Sequence, residues 1–108
     1  MFVRAWQFRP ARDKEAEFER VYGPSGDWAQ LFTTAPGFVR TELLKATDSA
    51  DDYLIIDRWE SMEAWEKFHR EQSVAYSELD QRFASLLRAE TLIGEYSAIA
   101  ADHSERAG

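Results

Sequence analysis

Seven residues, Tyr53 to Trp59, constrain this chain more than any others. In a strand, successive side chains point to opposite faces, so Tyr53, Ile55, Asp57 and Trp59 share one side while Leu54 and Ile56 share the other. Ser61 follows at once and is a good N-cap, because its hydroxyl can accept from an unpaired N–H of a first helical turn. The segment therefore reads as a strand over Tyr53–Glu60 feeding a helix over Met62–Gln72, with Ser73 able to restart or bend it. Tyr76, Leu79, Phe83, Leu86 and Leu87 continue the helical stripe.

Phe2 to Arg9 alternates in the same way, with Phe2, Arg4, Trp6 and Phe8 on one face and Val3, Ala5 and Gln7 on the other. Pro10 ends that strand and can open a helix over residues 11–22, whose apolar stripe is Phe18, Val21 and Tyr22. Gly23-Pro24-Ser25-Gly26 breaks it, and Asp27 or Ser25 can cap a short helix carrying Trp28, Leu31 and Phe32. Ala35-Pro36-Gly37 is a turn, with Gly37 able to take a positive φ. Phe38–Thr47 reads as the second strand, Asp48–Asp52 as a hairpin loop, and Leu92–Ile99 as the last strand.

The order β-α-β-β-α-β predicts an α+β, ferredoxin-like fold with a four-stranded antiparallel sheet and helices on one face only. The bare face would present Val3, Ala5, Leu54 and Ile56 with one set from the second strand. Such a patch exceeds what monomers usually expose, so a homodimer joined through its sheet faces is expected. At 108 residues the chain makes one domain, over 1–100, followed by a polar, flexible tail over 101–108.

A net charge of −7, with the basic residues scattered among acids, argues against nucleic acid or an anionic membrane as partner. No apolar run approaches the roughly 20 residues of a membrane span. Met1-Phe2-Val3-Arg4 goes straight into a strand pattern, so no signal peptide is read and a cytoplasmic location is expected. The absence of cysteine excludes disulfides, thiolate metal sites and a Cys nucleophile. Two histidines, His69 and His103, are too few for most transition-metal sites, and no phosphate loop or dinucleotide fingerprint occurs.

The run Tyr53-Leu-Ile-Ile-Asp-Arg-Trp-Glu-Ser61, followed by Met-Glu-Ala-Trp-Glu-Lys-Phe68, and the turn Ala35-Pro-Gly-Phe38 resemble the antibiotic biosynthesis monooxygenase family over about residues 2–99. The resemblance implies a dimeric α+β barrel with a pocket between helices and sheet, and oxidation of polycyclic phenols by O₂ without cofactor. It implies a pocket tryptophan at Trp59 and pocket asparagines where this chain has Ile55 and, near strand one, Arg4. In the family's haem-degrading branch, a tryptophan and a proximal histidine fall at about Phe68 and Glu78, so no haem, and no cofactor of any kind, is expected here.

Asp57 is the most informative side chain. In an apolar pocket its carboxyl would have a raised pKa and could act as a general base toward a phenol; alternatively, it could form an ion pair with Arg4 on the neighbouring strand or with another arginine. Trp59 is either a stacking wall for an aromatic ligand or core. Trp65, Phe68 and Trp28 line a pocket or fill it, and Tyr76 could orient a hydroxyl or carbonyl. The candidate site is thus Asp57 and Trp59 as catalytic groups, with Arg4, Ile55, Trp65, Phe68, Tyr76 and Trp28 around the substrate. Two functions compete: a cofactor-free monooxygenase-like enzyme acting on a small aromatic or polyketide-like molecule, and a non-catalytic binding or structural barrel. A void of roughly 300 Å³ or more beside Trp59 would favour a ligand site.

Overall fold

The structure, a computed structural model, describes residues 1–99. The tail expected over 101–108 lies outside them. The elements run β1 (Phe2–Pro10), α1 (Glu15–Tyr22), α2 (Asp27–Phe32), β2 (Phe38–Lys45), β3 (Tyr53–Trp59), α3 (Met62–Glu71), α4 (Ser73–Phe83), a 3-10 turn (Ala84–Leu86) and β4 (Leu87–Ser97). The strands form one antiparallel sheet in the order β2-β3-β1-β4, as expected of a ferredoxin-like fold.

Alternation in β1 and β3 decides what the sheet buries. Phe2, Phe8, Tyr53, Ile55 and Trp59 join Phe18, Val21, Tyr22, Trp28, Phe32, Trp65 and Phe68 from the helices in one aromatic core. Each such side chain, fully buried, contributes roughly 1.5–3 kcal/mol before entropy is counted. Val3, Leu54 and Ile56 fall on the opposite face, where Leu44, Ile93 and Tyr96 are exposed. Among the described residues no helix is long and apolar enough to cross a membrane.

Local chemistry explains the boundaries. Ser61 caps α3 by accepting from the Ala64 N–H at 3.1 Å. The turn before β2 needs glycine: Gly37 has φ +92°, and a Cβ there would sit 2.6 Å from that of Ala64. Gln72 separates α3 from α4, so the second helical segment restarts at Ser73.

Several boundaries differ from the sequence expectation. Pro10 opens no helix; it stays in β1 opposite Leu87, and Asp13 at φ 63° keeps the chain out of helix until Glu15. Gly26, not Asp27 or Ser25, occupies the N-cap position of α2, without a side-chain cap. β2 ends at Lys45, two residues early, with the Ala46 N–H donating to the Asp52 carbonyl at 2.9 Å as the last rung before the hairpin loop; β3 likewise stops at Trp59. Leu86 and Leu87 do not continue a helix. The 3-10 turn buries Leu86, whose carbonyl accepts from Ala11 N–H at 2.7 Å, and Leu87 starts a strand that runs to Ser97 rather than from Leu92 to Ile99.

Candidate active site: an acidic, aromatic cavity under the fourth helix

A cavity of about 190 Å³ lies between the sheet and the helices. The sheet contributes Trp6 and Phe8 from β1, Thr41 from β2, Ile55 and Asp57 from β3, and Glu90 from β4; Tyr22, Trp28, Phe32, Tyr76 and Asp80 come from the helices. Aromatic faces make most of the wall, and three carboxylates interrupt it.

Asp57 is brought there by the β3 alternation and is 6 % exposed. It stands opposite Thr41 on β2 and Arg4 on β1 in the strand registers. The Thr41 hydroxyl donates to its Oδ1 at 2.7 Å, in the buried interior. Arg4 does not close an ion pair with it. Arg4 Nε instead donates to Glu95 at 2.9 Å, and its guanidinium lies 4.0 Å over the Trp65 ring. Burial pushes the Asp57 carboxyl up to about 6, against the downward pull of the Thr41 hydroxyl and the more distant Arg4 charge. Of the two readings open for Asp57, the Arg4 pair is not formed.

The cavity phenols are also perturbed. Burial raises Tyr22 to about 12 and raises Tyr76, the latter against the opposing charge of Arg4. The Trp28 indole N–H is close enough to the Tyr22 hydroxyl to oppose that rise, yet it meets hydrogen-bond geometry with no group and is buried without a partner. Partial burial and the neighbouring Asp80 both push the Glu90 carboxyl upward.

Four of the predicted site residues therefore meet at one void: Asp57, Ile55, Tyr76 and Trp28. The other four stand back from it. Trp59 is fully buried among Phe32, Phe38, Trp65 and Phe68; among the described residues its N–H has no partner, and its side chain does not line the cavity. Trp65 and Phe68 pack in the same cluster, and Arg4 closes its far side over Trp65. The sequence reading missed Thr41, Asp80 and Glu90. Thr41 was legible as the residue sharing a face with Leu43 on β2, and Asp80 as one helical turn beyond Tyr76. Glu90 gave no signal, because its strand was read as starting at Leu92.

The positions matched to the haem-degrading branch hold a buried Phe68 and an exposed Glu78. Among the described residues no group of three or more His, Asp or Glu side chains is arranged to hold a metal.

The antiparallel sheet with its helices on one face and this cavity between them define a ferredoxin-like α+β protein. More particularly, the chain belongs to the antibiotic biosynthesis monooxygenase family, whose profile matches residues 1–76. None of the curated proteins compared matches the sequence. Among solved structures it is similar to a mutant form of SnoaB, a cofactor-independent oxygenase from Streptomyces nogalater, at 24% identity over 90% of this chain and 91% of that one, with a TM-score of 0.74. A proposed antibiotic biosynthesis monooxygenase from Deinococcus radiodurans superposes with a TM-score of 0.73 at 14% identity, covering 94% and 95% of the two chains. MhuD, in a mutant crystallised with manganese protoporphyrin IX in its active site, gives 0.67 at 18% identity over 93% and 96%. At these identities the superpositions establish the shared fold.

Proposed function

We propose that this chain is a cofactor-independent, monooxygenase-type enzyme in which Asp57 takes a proton from a small hydroxylated aromatic molecule. The observation that carries this reading is the state of Asp57: a buried carboxyl on the cavity wall, held by a hydroxyl, paired with no cation and pushed up to about 6. A base poised near the working pH abstracts protons most effectively. Loss of the phenolic proton makes the ring electron-rich, and O₂ can accept its electrons directly. One oxygen atom ends as a ring carbonyl and the other leaves as water, so that the ring surrenders four electrons and two hydrogens.

Family membership and the likeness to SnoaB support an oxygenase. Ile55 puts hydrocarbon where the resemblance implies an amide, so polar contact with the substrate falls to Thr41, Asp57 and Tyr76. An engineered cavity of about 150 Å³ holds benzene, so about 190 Å³ suits one ring with short substituents. Oxygen uptake with a panel of hydroxylated aromatics tests the reading. Asp57→Asn should abolish turnover of the best substrate while the variant remains folded, and full turnover by that variant would refute the assignment.

A second reading, a non-catalytic barrel, is favoured by one observation: the cavity is smaller than the roughly 300 Å³ at which ligand pockets begin, and the space around Trp59 is filled. It predicts no oxygen uptake with any member of the panel. Either function fits a homodimer through the outer sheet face, which the exposed Leu44, Ile93 and Tyr96 beside Leu54 and Ile56 support.

A further inference from the structure

We propose that the cavity takes an aromatic ligand bearing a protonated amine, its ammonium held between Asp80 and Glu90 and its ring among Trp6, Trp28 and Tyr76. The inference rests on the reading of this cavity as a ligand site and goes beyond it by assigning the ligand's charge.

Three carboxylates, Asp57, Asp80 and Glu90, line the void, and among the described residues no cationic side chain does; the nearest, Arg4, stands behind the wall and acts on Asp57 and Tyr76 from there. Among the described residues none of the three forms an ion pair, although arginines elsewhere are well supplied with acids: Arg4 with Glu95, Arg40 and Arg58 with Glu42, Arg88 with Asp51. Like charges facing one void repel, and a cation entering between them relieves that repulsion. Asp80 and Glu90 are the exposed members, whereas Asp57 is deep, so the charge at the mouth is met first and the general base last.

The walls carry the second, independent observation. Six of the lining side chains are aromatic, and Trp28, itself only 8 % exposed, presents its ring to the cavity while its indole N–H lies toward the Tyr22 hydroxyl. Trp28 and Tyr76 meet edge to face at 4.9 Å between centroids, and Trp6 stacks on Phe8 at 5.7 Å. Aromatic faces beside carboxylates are the surroundings in which ammonium groups are attracted by both charge and ring quadrupole. A ring hydroxyl at the far end of such a ligand would meet Asp57. Anionic aromatics of the same size would be repelled at the mouth.

Calorimetric titration of the full chain at neutral pH and low salt tests this with three para-substituted phenols that differ in side-chain charge: tyramine, para-ethylphenol and para-hydroxyphenylpropionate. Tyramine should bind about tenfold tighter than para-ethylphenol, and the propionate at least about tenfold weaker. The double variant Asp80→Asn/Glu90→Gln should bring tyramine to the affinity of para-ethylphenol. Equal affinities in the unmodified protein, or a tyramine preference that survives the double substitution, would overturn the amine assignment while leaving the cavity a ligand site. Binding of none of the three would overturn the assignment and the ligand-site reading together.

Discussion

The Thr41 hydroxyl, not the Arg4 guanidinium opposite it in the strand register, is the partner of the Asp57 carboxyl, at 2.7 Å. A hydroxyl orients a carboxylate without neutralising it, so Asp57 keeps a proton affinity that an arginine would remove. Thr41→Val retains shape and deletes that bond. It should raise the Asp57 pKa further and destabilise the fold by about 1–3 kcal/mol, the cost of leaving a buried acceptor unsatisfied. Urea denaturation of the two proteins measures the second effect; equal midpoints would mean that the bond contributes nothing.

Stability should depend on pH through the same group. An unfolded aspartate titrates near 3.9, whereas Asp57 in the folded chain is pushed up to about 6. Between those values the folded protein binds the extra proton, so stability falls as pH rises from about 4 to about 6, by roughly 2–3 kcal/mol from this one residue. The loss is complete above the folded pKa and absent below the unfolded one. Subtracting the pH–stability curve of Asp57→Asn isolates it. Activity moves the opposite way, because a general base must first lose its proton; turnover should rise through pH about 6.

Trp59 supports the site through packing. Its ring centroid lies 5.7 Å from that of Phe32, which lines the cavity, and 5.3 Å from that of Phe68, so Trp59 backs the wall without lining the void itself. Trp59→Phe should cost about 1–3 kcal/mol in urea denaturation, as a large-to-smaller core change does, and alter affinity for a bound phenol by less than about twofold. A tenfold loss of affinity with unchanged stability would return Trp59 to the site.

The outer sheet face offers a test of assembly. Ile56 stands opposite Ala5 on β1 and Glu42 on β2, on the side without helices. Ile56→Glu should convert a dimer to a monomer by light scattering at micromolar concentration, since a charge buried without a partner costs several kcal/mol. A monomeric mass in the unmodified protein would remove the premise.

What could be read from the sequence followed the strength of local periodicity. Alternation in 53–59 correctly put Asp57 inward and Leu54 outward, and Ser61 is the cap of the next helix. The strand register that sets Arg4 beside Asp57 was also legible; the choice of rotamer that sends Arg4 to Glu95 was not, because it depends on a residue 91 positions away. β4 was misread at its start for a physical reason. It is an edge strand with exposed residues on both faces over most of its length, so burial imposes no alternation on it, and Leu86 and Leu87 mimic the stripe of the preceding helix. The acidic mouth was lost with it, since Glu90 reaches the cavity only once that strand is placed.

Direct titration of the Asp57 carboxyl carbon by NMR bears on all of this at once. A midpoint near 6, moving upward in Thr41→Val and little changed in Trp59→Phe, is the result expected of a buried carboxyl without a cation. A midpoint at or below the ordinary aspartate value of about 3.9 would mean that a positive charge reaches Asp57 after all, and would leave the cavity without its base.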